Sequence, residues 1–182
     1  DANYNGVPVP KSVVMVKGQP FNLTSATTIV YEGTNPEMKR NARFLSEYIQ
    51  QSTGIKTTLL DKRDKKAAAI VLVINPKVQG DEAYRLTVNN KQVTIAASTP
   101  AGVFYGIQTL RKSLPVQTNG ADITLPAVDI ADAPRFGYRG MMLDCGRHFF
   151  PVSFVKKFID ILAMHNMNVF HWHLTEDQGW RL

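Results

Sequence analysis

The sequence predicts an α+β domain over residues 1–132, a mixed sheet with helices on one face, followed over residues 133–182 by the opening strand–helix–strand unit of a (β/α)8 barrel. Three observations carry this reading. Short β-branched runs alternate with two amphipathic stripes that begin on capping residues. The triplet Asp132-Ala133-Pro134 then breaks the pattern. Beyond it, polar residues gather after each of two apolar strands, and those strand ends are where a β/α barrel carries its ligand-binding groups.

Ser12–Val16 and Thr27–Tyr31 read as strands, with Gly18-Gln19-Pro20 and Glu32-Gly33 as turns. Met38, Ala42, Leu45 and Ile49 recur at helical spacing after Asn35-Pro36, a proline position suited to a first turn, and Gly54 is placed to end that helix. Thr57–Leu60 and the almost wholly apolar Ala69–Ile74 follow as strands, the second reading as central. Ala83–Val88 and Gln92–Ala97 flank Asn89-Asn90, where asparagines that tolerate positive φ predict a two-residue hairpin link. Thr99 as N-cap and Pro100 at the first position open a second helix with Val103, Ile107, Leu110 and Leu114 on one stripe. Leu125–Ile130 is expected as one further strand.

In the second part, Arg139–Asp144 is a mostly apolar run and Cys145–His148 a tight polar loop. Val155, Phe158, Ile159, Leu162 and Ala163 predict the buried stripe of a helix. Asn166 and Asn168 bracket its end, Val169–Leu174 is the next strand, and Thr175–Arg181 is read as the loop beyond it. A β/α barrel has eight such repeats, so the sequence covers its beginning and stops after the second strand.

Composition narrows the function classes. Apolar residues make up 44% and charged residues 20% of the 182, which points away from disorder and fibrous repeats. No apolar run reaches the roughly 18 residues of a membrane span. No basic segment precedes an apolar one at the start, and Asp1 reads as a trimmed or mature beginning. The net charge of +6 raises nucleic acid or an anionic surface as a partner. The basic residues are scattered along the chain, however, and the densest run, Lys62–Lys66, has acids within and beside it, as a solvated loop does. Cys145 is the single cysteine, so no intrachain disulfide can form, and with no base in view for a thiol nucleophile it reads as inert.

The first 130 residues gather no catalytic residue types: no histidine precedes His148 and the carboxylates are dispersed. Gly102 and Gly106 have the wrong spacing for a phosphate loop and fall inside a helix, where close packing explains them better. Candidate chemistry lies in the second part. His171 and His173 point the same way from a strand and could share a cation, or both rings could face a barrel interior and hydrogen-bond to neighbouring strands. Arg147 reads equally, on spacing alone, as a ligand-gripping group or as a structural tie between a strand end and a loop. Trp180 could stack on a ligand ring or anchor its loop, and His148 reads as packed or capping.

The stretches Tyr138-Arg-Gly-Met-Met-Leu-Asp-Cys-Gly-Arg-His-Phe-Phe-Pro151 and Asn168-Val-Phe-His-Trp-His-Leu-Thr-Glu-Asp-Gln-Gly-Trp-Arg181 resemble glycoside hydrolase family 20, the β-N-acetylhexosaminidases. The helix phrase Ala101–Leu110 is similar to the last helix of the non-catalytic domain that precedes the barrel in that family. The resemblance implies hydrolysis of terminal β-linked N-acetylglucosamine or N-acetylgalactosamine, with the substrate's own acetamido oxygen as nucleophile. It implies that the catalytic Asp–Glu pair belongs to a later strand, outside residues 1–182, and that Glu176-Asp177 is not that pair. Two positions carry over: Arg147 as the arginine that binds sugar hydroxyls, and Asp177 as the aspartate that supports the machinery through a histidine from a later strand. The family's commoner residue at Glu176 is Asp. The resemblance also implies no cofactor, no metal, a glycan partner and a periplasmic or secreted location. Nucleic acid is not an expected partner, and self-association through an incomplete barrel is. The 182 residues alone are expected to be inactive; the competing reading is a non-catalytic carbohydrate-binding or scaffold fragment.

Overall fold

Three short strands come first in the computed structural model, which describes residues 2–31, 33–116, 118–177 and 179–181: β1 (Ser12–Met15), β2 (Phe21–Leu23) and β3 (Thr28–Val30). Glu32 of the expected Glu32-Gly33 turn and Gln178 of the second motif lie outside the described residues. Helix α1 (Pro36–Thr53) starts as its sequence demands. The Asn35 side chain accepts from the Glu37 and Met38 amides, Pro36 occupies the first turn, and Gly54 closes the helix at φ 80°. Strands β4 (Thr58–Leu60), β5 (Ala69–Ile74), β6 (Tyr84–Val88) and β7 (Gln92–Ala97) precede α2 (Pro100–Ser113), whose N-cap Thr99 accepts from the Gly102 amide. Then come β8 (Ile123–Leu125) and β9 (Val128–Asp132).

Seven of these strands form one mixed sheet in the order β1-β9-β6-β7-β5-β3-β4, and β2 pairs with β8 apart from it. β7, β5, β3 and β4 are parallel, and β6, β9 and β1 alternate in direction beyond them. Both helices pack on one face, where Met38, Leu45, Ile49, Val103, Ile107 and Leu110 meet Ile29, Ile70, Leu72 and Ile95 in a single buried core. Val30, Ala69 and Val71 alternate to the other face. The sequence is legible here because strand period two and helix period near four place each apolar side chain independently of its neighbours.

Two expectations change within residues 1–134. The β6–β7 link is centred one residue later, on Asn90-Lys91, because Asn89 and Gln92 exchange backbone hydrogen bonds of 3.0 and 3.3 Å. No asparagine there takes a positive φ. The Asn89 side chain accepts instead from the Lys91 and Gln92 amides, at 2.9 and 3.0 Å, and so folds the turn itself. The strand expected over Leu125–Ile130 is two, β8 and β9, parted at Pro126, which has no amide to donate and whose carbonyl accepts from the Tyr4 hydroxyl at 2.6 Å.

The chain forms two compact units, Asp1–Pro134 and Arg135–Leu182. The second holds β10 (Gly140–Asp144), α3 (Val152–Met164) and β11 (Val169–His173), with β10 and β11 parallel in register from Gly140↔Val169 to Asp144↔His173. A hairpin of β12 (Thr175–Glu176) and β13 (Gly179–Trp180) replaces the expected open loop. Leu143, Cys145 and Val155, with Phe150, Phe158, Phe170 and Leu174, form a small core between strands and helix. The expected stripe on α3 is only half buried: Val155 and Leu162 are inside, while Ile159 is exposed, since one strand pair is too narrow to cover it. Among the described residues, no helix is long and apolar enough to cross a membrane.

Candidate active site

Strand alternation divides the β10–β11 pair. Leu143 pairs with Trp172 on the α3 side, whereas Met142 and Asp144 pair with His171 and His173 on the opposite face. Asp144 ends β10 and organises the loop after it. Its Oδ1 accepts from the Gly146 and Arg147 amides at 3.0 and 2.9 Å, and its Oδ2 accepts from Arg147 Nη1 at 2.6 Å. The Arg147 backbone donation, with that residue's side-chain bond and charge, holds the Asp144 carboxyl below its ordinary 3.8. Asp144 is therefore ionised across the neutral range.

Glu176, on β12, supplies the second support. Its Oε2 lies 3.1 Å from Arg147 Nη2 and 2.9 Å from His173 Nε2. Arg147 is thus held from two sides, by the carboxylate that ends β10 and by one on the hairpin after β11, and its bond to Asp144, then the Glu176 charge, raise its pKa further. The hairpin comes this close because Gly146 and Gly179 carry no side chain: a Cβ on Gly179 would stand 2.1 Å from the Gly146 carbonyl oxygen. Arg181 ties the hairpin back through Nε to the Cys145 carbonyl at 3.1 Å.

These groups line an open cleft of about 400 Å³ bordered by Gly146, Arg147, Glu176, Asp177, Gly179 and Arg181. The Arg147 side chain is 65% exposed, and its planar fork of donors borders the cleft while tied to Asp144 and Glu176. Asp177 is exposed on the rim and makes no side-chain hydrogen bond or ion pair among the described residues.

The structure therefore brings Arg147 and Asp177 to one cleft. His173 and His171 share a face, with ring centroids 6.4 Å apart, but the hydrogen-bond partner of His173 is Glu176 of the following hairpin rather than a neighbouring strand. Among the described residues, no three His, Cys, Asp or Glu side chains lie close enough together to hold a metal ion. His148 packs edge-on against Phe150 at 5.0 Å, Trp180 is exposed, and buried Cys145 accepts from Trp172 Nε1 at 3.3 Å. The roles of Asp144 and Glu176 as supports for Arg147 went unread in the sequence. The signal for Asp144 is its spacing, since an aspartate followed at two and three residues by free amides is an Asx-type turn.

Models of glycosyl hydrolase family 20 match the chain twice, domain 2 over residues 3–133 and the catalytic domain over residues 136–182. The chain belongs to glycosyl hydrolase family 20, a family of glycoside hydrolases. A beta-hexosaminidase of Vibrio furnissii is 45% identical over 186 residues, covering 100% of this chain and 28% of its own length. One from Porphyromonas gingivalis is 35% identical over 188 residues, covering 100% of this chain and 24% of its own. Among solved structures, the GH20 beta-N-acetylhexosaminidase of Streptomyces coelicolor superposes with a TM-score of 0.86 at 33% identity, over 99% of this chain and 37% of that one. A mutant Streptomyces plicatus beta-hexosaminidase in complex with its product GlcNAc gives 0.84 at 34% identity, over 97% and 36%. The chain thus spans about a quarter of the length of these two curated relatives.

Proposed function

We propose that the protein carrying these residues with a closed barrel is an exo-acting β-N-acetylhexosaminidase, removing terminal β-linked N-acetylglucosamine or N-acetylgalactosamine by substrate-assisted, retaining catalysis. The observation that carries this reading is the Arg147 fork, tied to Asp144 and Glu176 and bordering the cleft. A guanidinium so held can donate two parallel hydrogen bonds to adjacent sugar hydroxyls without losing its orientation when water leaves. That Asp177 lies on the rim and is unpartnered among the described residues supports its reading as the acceptor for a histidine of a later strand. In this mechanism the acetamido oxygen attacks the anomeric carbon, and an acid on a later strand protonates the leaving oxygen. The 1–182 polypeptide supplies neither that acid nor the carboxylate that orients the acetamide, so on its own it is expected not to turn the sugar over. The family resemblance also supports placing the protein in the periplasm or outside the cell, which fractionation tests.

Turnover of a chromogenic N-acetyl-β-glucosaminide tests the proposal. The closed-barrel protein is expected to release the chromophore, and purified 1–182 chain is not. Silence from the first, or turnover by the second at a comparable rate, overturns it.

A further inference from the structure

Basic residues that are scattered along the sequence are gathered by the fold of the first unit. The sheet register sets one transverse row from Met15 on β1 through Val128, Val88, Val93, Ile70 and Ile29 to Leu59 on β4. Lys17 follows β1 at that end of the sheet, Lys91 immediately precedes β7, Lys65 and Lys66 lead into β5, and Lys56 leads into β4. Backbone bonds from Ala69 to Lys91, from Thr28 to Ala68 and from Thr58 to Thr27 stitch these segments side by side. Six strand spacings of about 4.8 Å make the edge about 29 Å long.

All five lysines are exposed, and among the described residues none is in an ion pair. The acids at this end are few. Asp64 caps the turn that presents Lys65 and Lys66, accepting from the Lys66 amide at 2.9 Å. Asp122 lies past the turn that Gly120 makes against Thr53, and Asp129 is already paired with Arg85. The acids Asp81, Glu82 and Asp132 belong to the other end of the sheet, which is also where the chain leaves the unit at Pro134.

We propose that this edge is a binding surface for an acidic polysaccharide chain. One line of lysines fits one extended polyanion, and the neutral residues between them, exposed Asn90 and Ser25, offer an amide and a hydroxyl to sugar hydroxyls. Neither an arginine fork for base edges nor an aromatic platform for stacked bases stands among the described residues of this edge, so nucleic acid fits it less well.

Polygalacturonate binding to the 182-residue chain, with dextran as the neutral polymer, tests the proposal. Binding to polygalacturonate alone is expected, weakening roughly tenfold or more between about 50 and about 200 mM salt as counterions are released. The triple variant Lys56→Gln, Lys66→Gln, Lys91→Gln is expected to weaken it about tenfold, and Lys→Arg at the same three positions to restore it. The charge-matched control Lys39→Gln, Arg40→Gln, Arg43→Gln, placed on α1, is expected to change it less than about twofold. Equal loss in both Gln triples would reduce the effect to bulk charge and overturn the site. Binding no tighter than to dextran overturns it too, as does tighter binding to duplex DNA or to phosphatidylglycerol vesicles.

Discussion

Gly102→Ala places one methyl group where the structure has no room. Gly102 lies in the first turn of α2, against the start of β6 and the end of β7. An added Cβ would stand 2.4 Å from the Ala83 carbonyl oxygen and 2.7 Å from the Ala97 Cβ, against an ordinary contact of at least 3.4 Å. Relief requires α2 to lift by 3.4 − 2.4 = 1.0 Å, because backbone and an alanine stub cannot turn aside. Overpacking of this kind costs about 1–3 kcal/mol, and the rigidity of both neighbours puts this site at the upper end. Alanine returns about 1 kcal/mol through helix propensity. The net expectation is a loss of about 2 kcal/mol, a fall in the urea midpoint of roughly 1 M for a denaturant slope near 2 kcal/mol/M. Urea unfolding followed by far-UV circular dichroism reads this directly. Ala101→Gly, one residue away and exposed, isolates propensity and is expected to cost about 1 kcal/mol. A Gly102→Ala chain as stable as the parent, or more so, refutes the close approach of helix and sheet.

Three further outcomes are expected. Asn89→Ala removes the acceptor that folds the β6–β7 turn and lowers stability by about 1 kcal/mol, the worth of a comparable capping bond, in the same urea assay. Burial lowers the Lys112 ammonium to about 8 from its ordinary 10.5, against the raising effect of Asp132. Between about pH 8 and 10 the unfolded chain therefore binds more protons than the folded one, and stability rises with pH in that window. Above 10 the buried hydroxyls of Tyr4 and Tyr84, both pushed up by burial, reverse the trend. Lys112→Gln should flatten the rise, and an unchanged slope in urea midpoints would discount it. Asp144→Asn keeps the shape of the loop cap and removes its charge. The Arg147 side-chain resonances are then expected to lose their dispersion and the amides of Gly146 and Arg147 to shift; sharp, unmoved signals would show that Asp144 does not hold the arginine.

What was legible in the sequence follows from locality. Asn35-Pro36 with Gly54, and Thr99-Pro100 with the stripe to Leu110, each specify a helix by contacts within a few residues, and both formed as read. The β6–β7 turn slipped by one because side-chain acceptance by Asn89 and a positive φ at Asn90 are alternatives that the letters Asn-Asn do not separate. The strand over Leu125–Ile130 was divided by Pro126, whose missing amide was visible but whose flanking pairings, with β2 and with β6 and β1, are long-range. In the site, motif residues pointed to Arg147 and Asp177. The hold of Glu176 on Arg147 depends on a hairpin that only the glycine pair Gly146 and Gly179 permits, and neither glycine declares its partner in sequence. The lysines at one sheet edge illustrate the same limit, since their proximity exists only through strand order.

Arg147 is proposed to grip the terminal sugar of a hexosaminidase substrate. The measurement that decides this is kcat/KM on a chromogenic N-acetyl-β-glucosaminide for the closed-barrel protein and its Arg147→Ala variant. With two charge-assisted hydrogen bonds lost, a fall of about 100-fold or more is expected. An unchanged kcat/KM would contradict it.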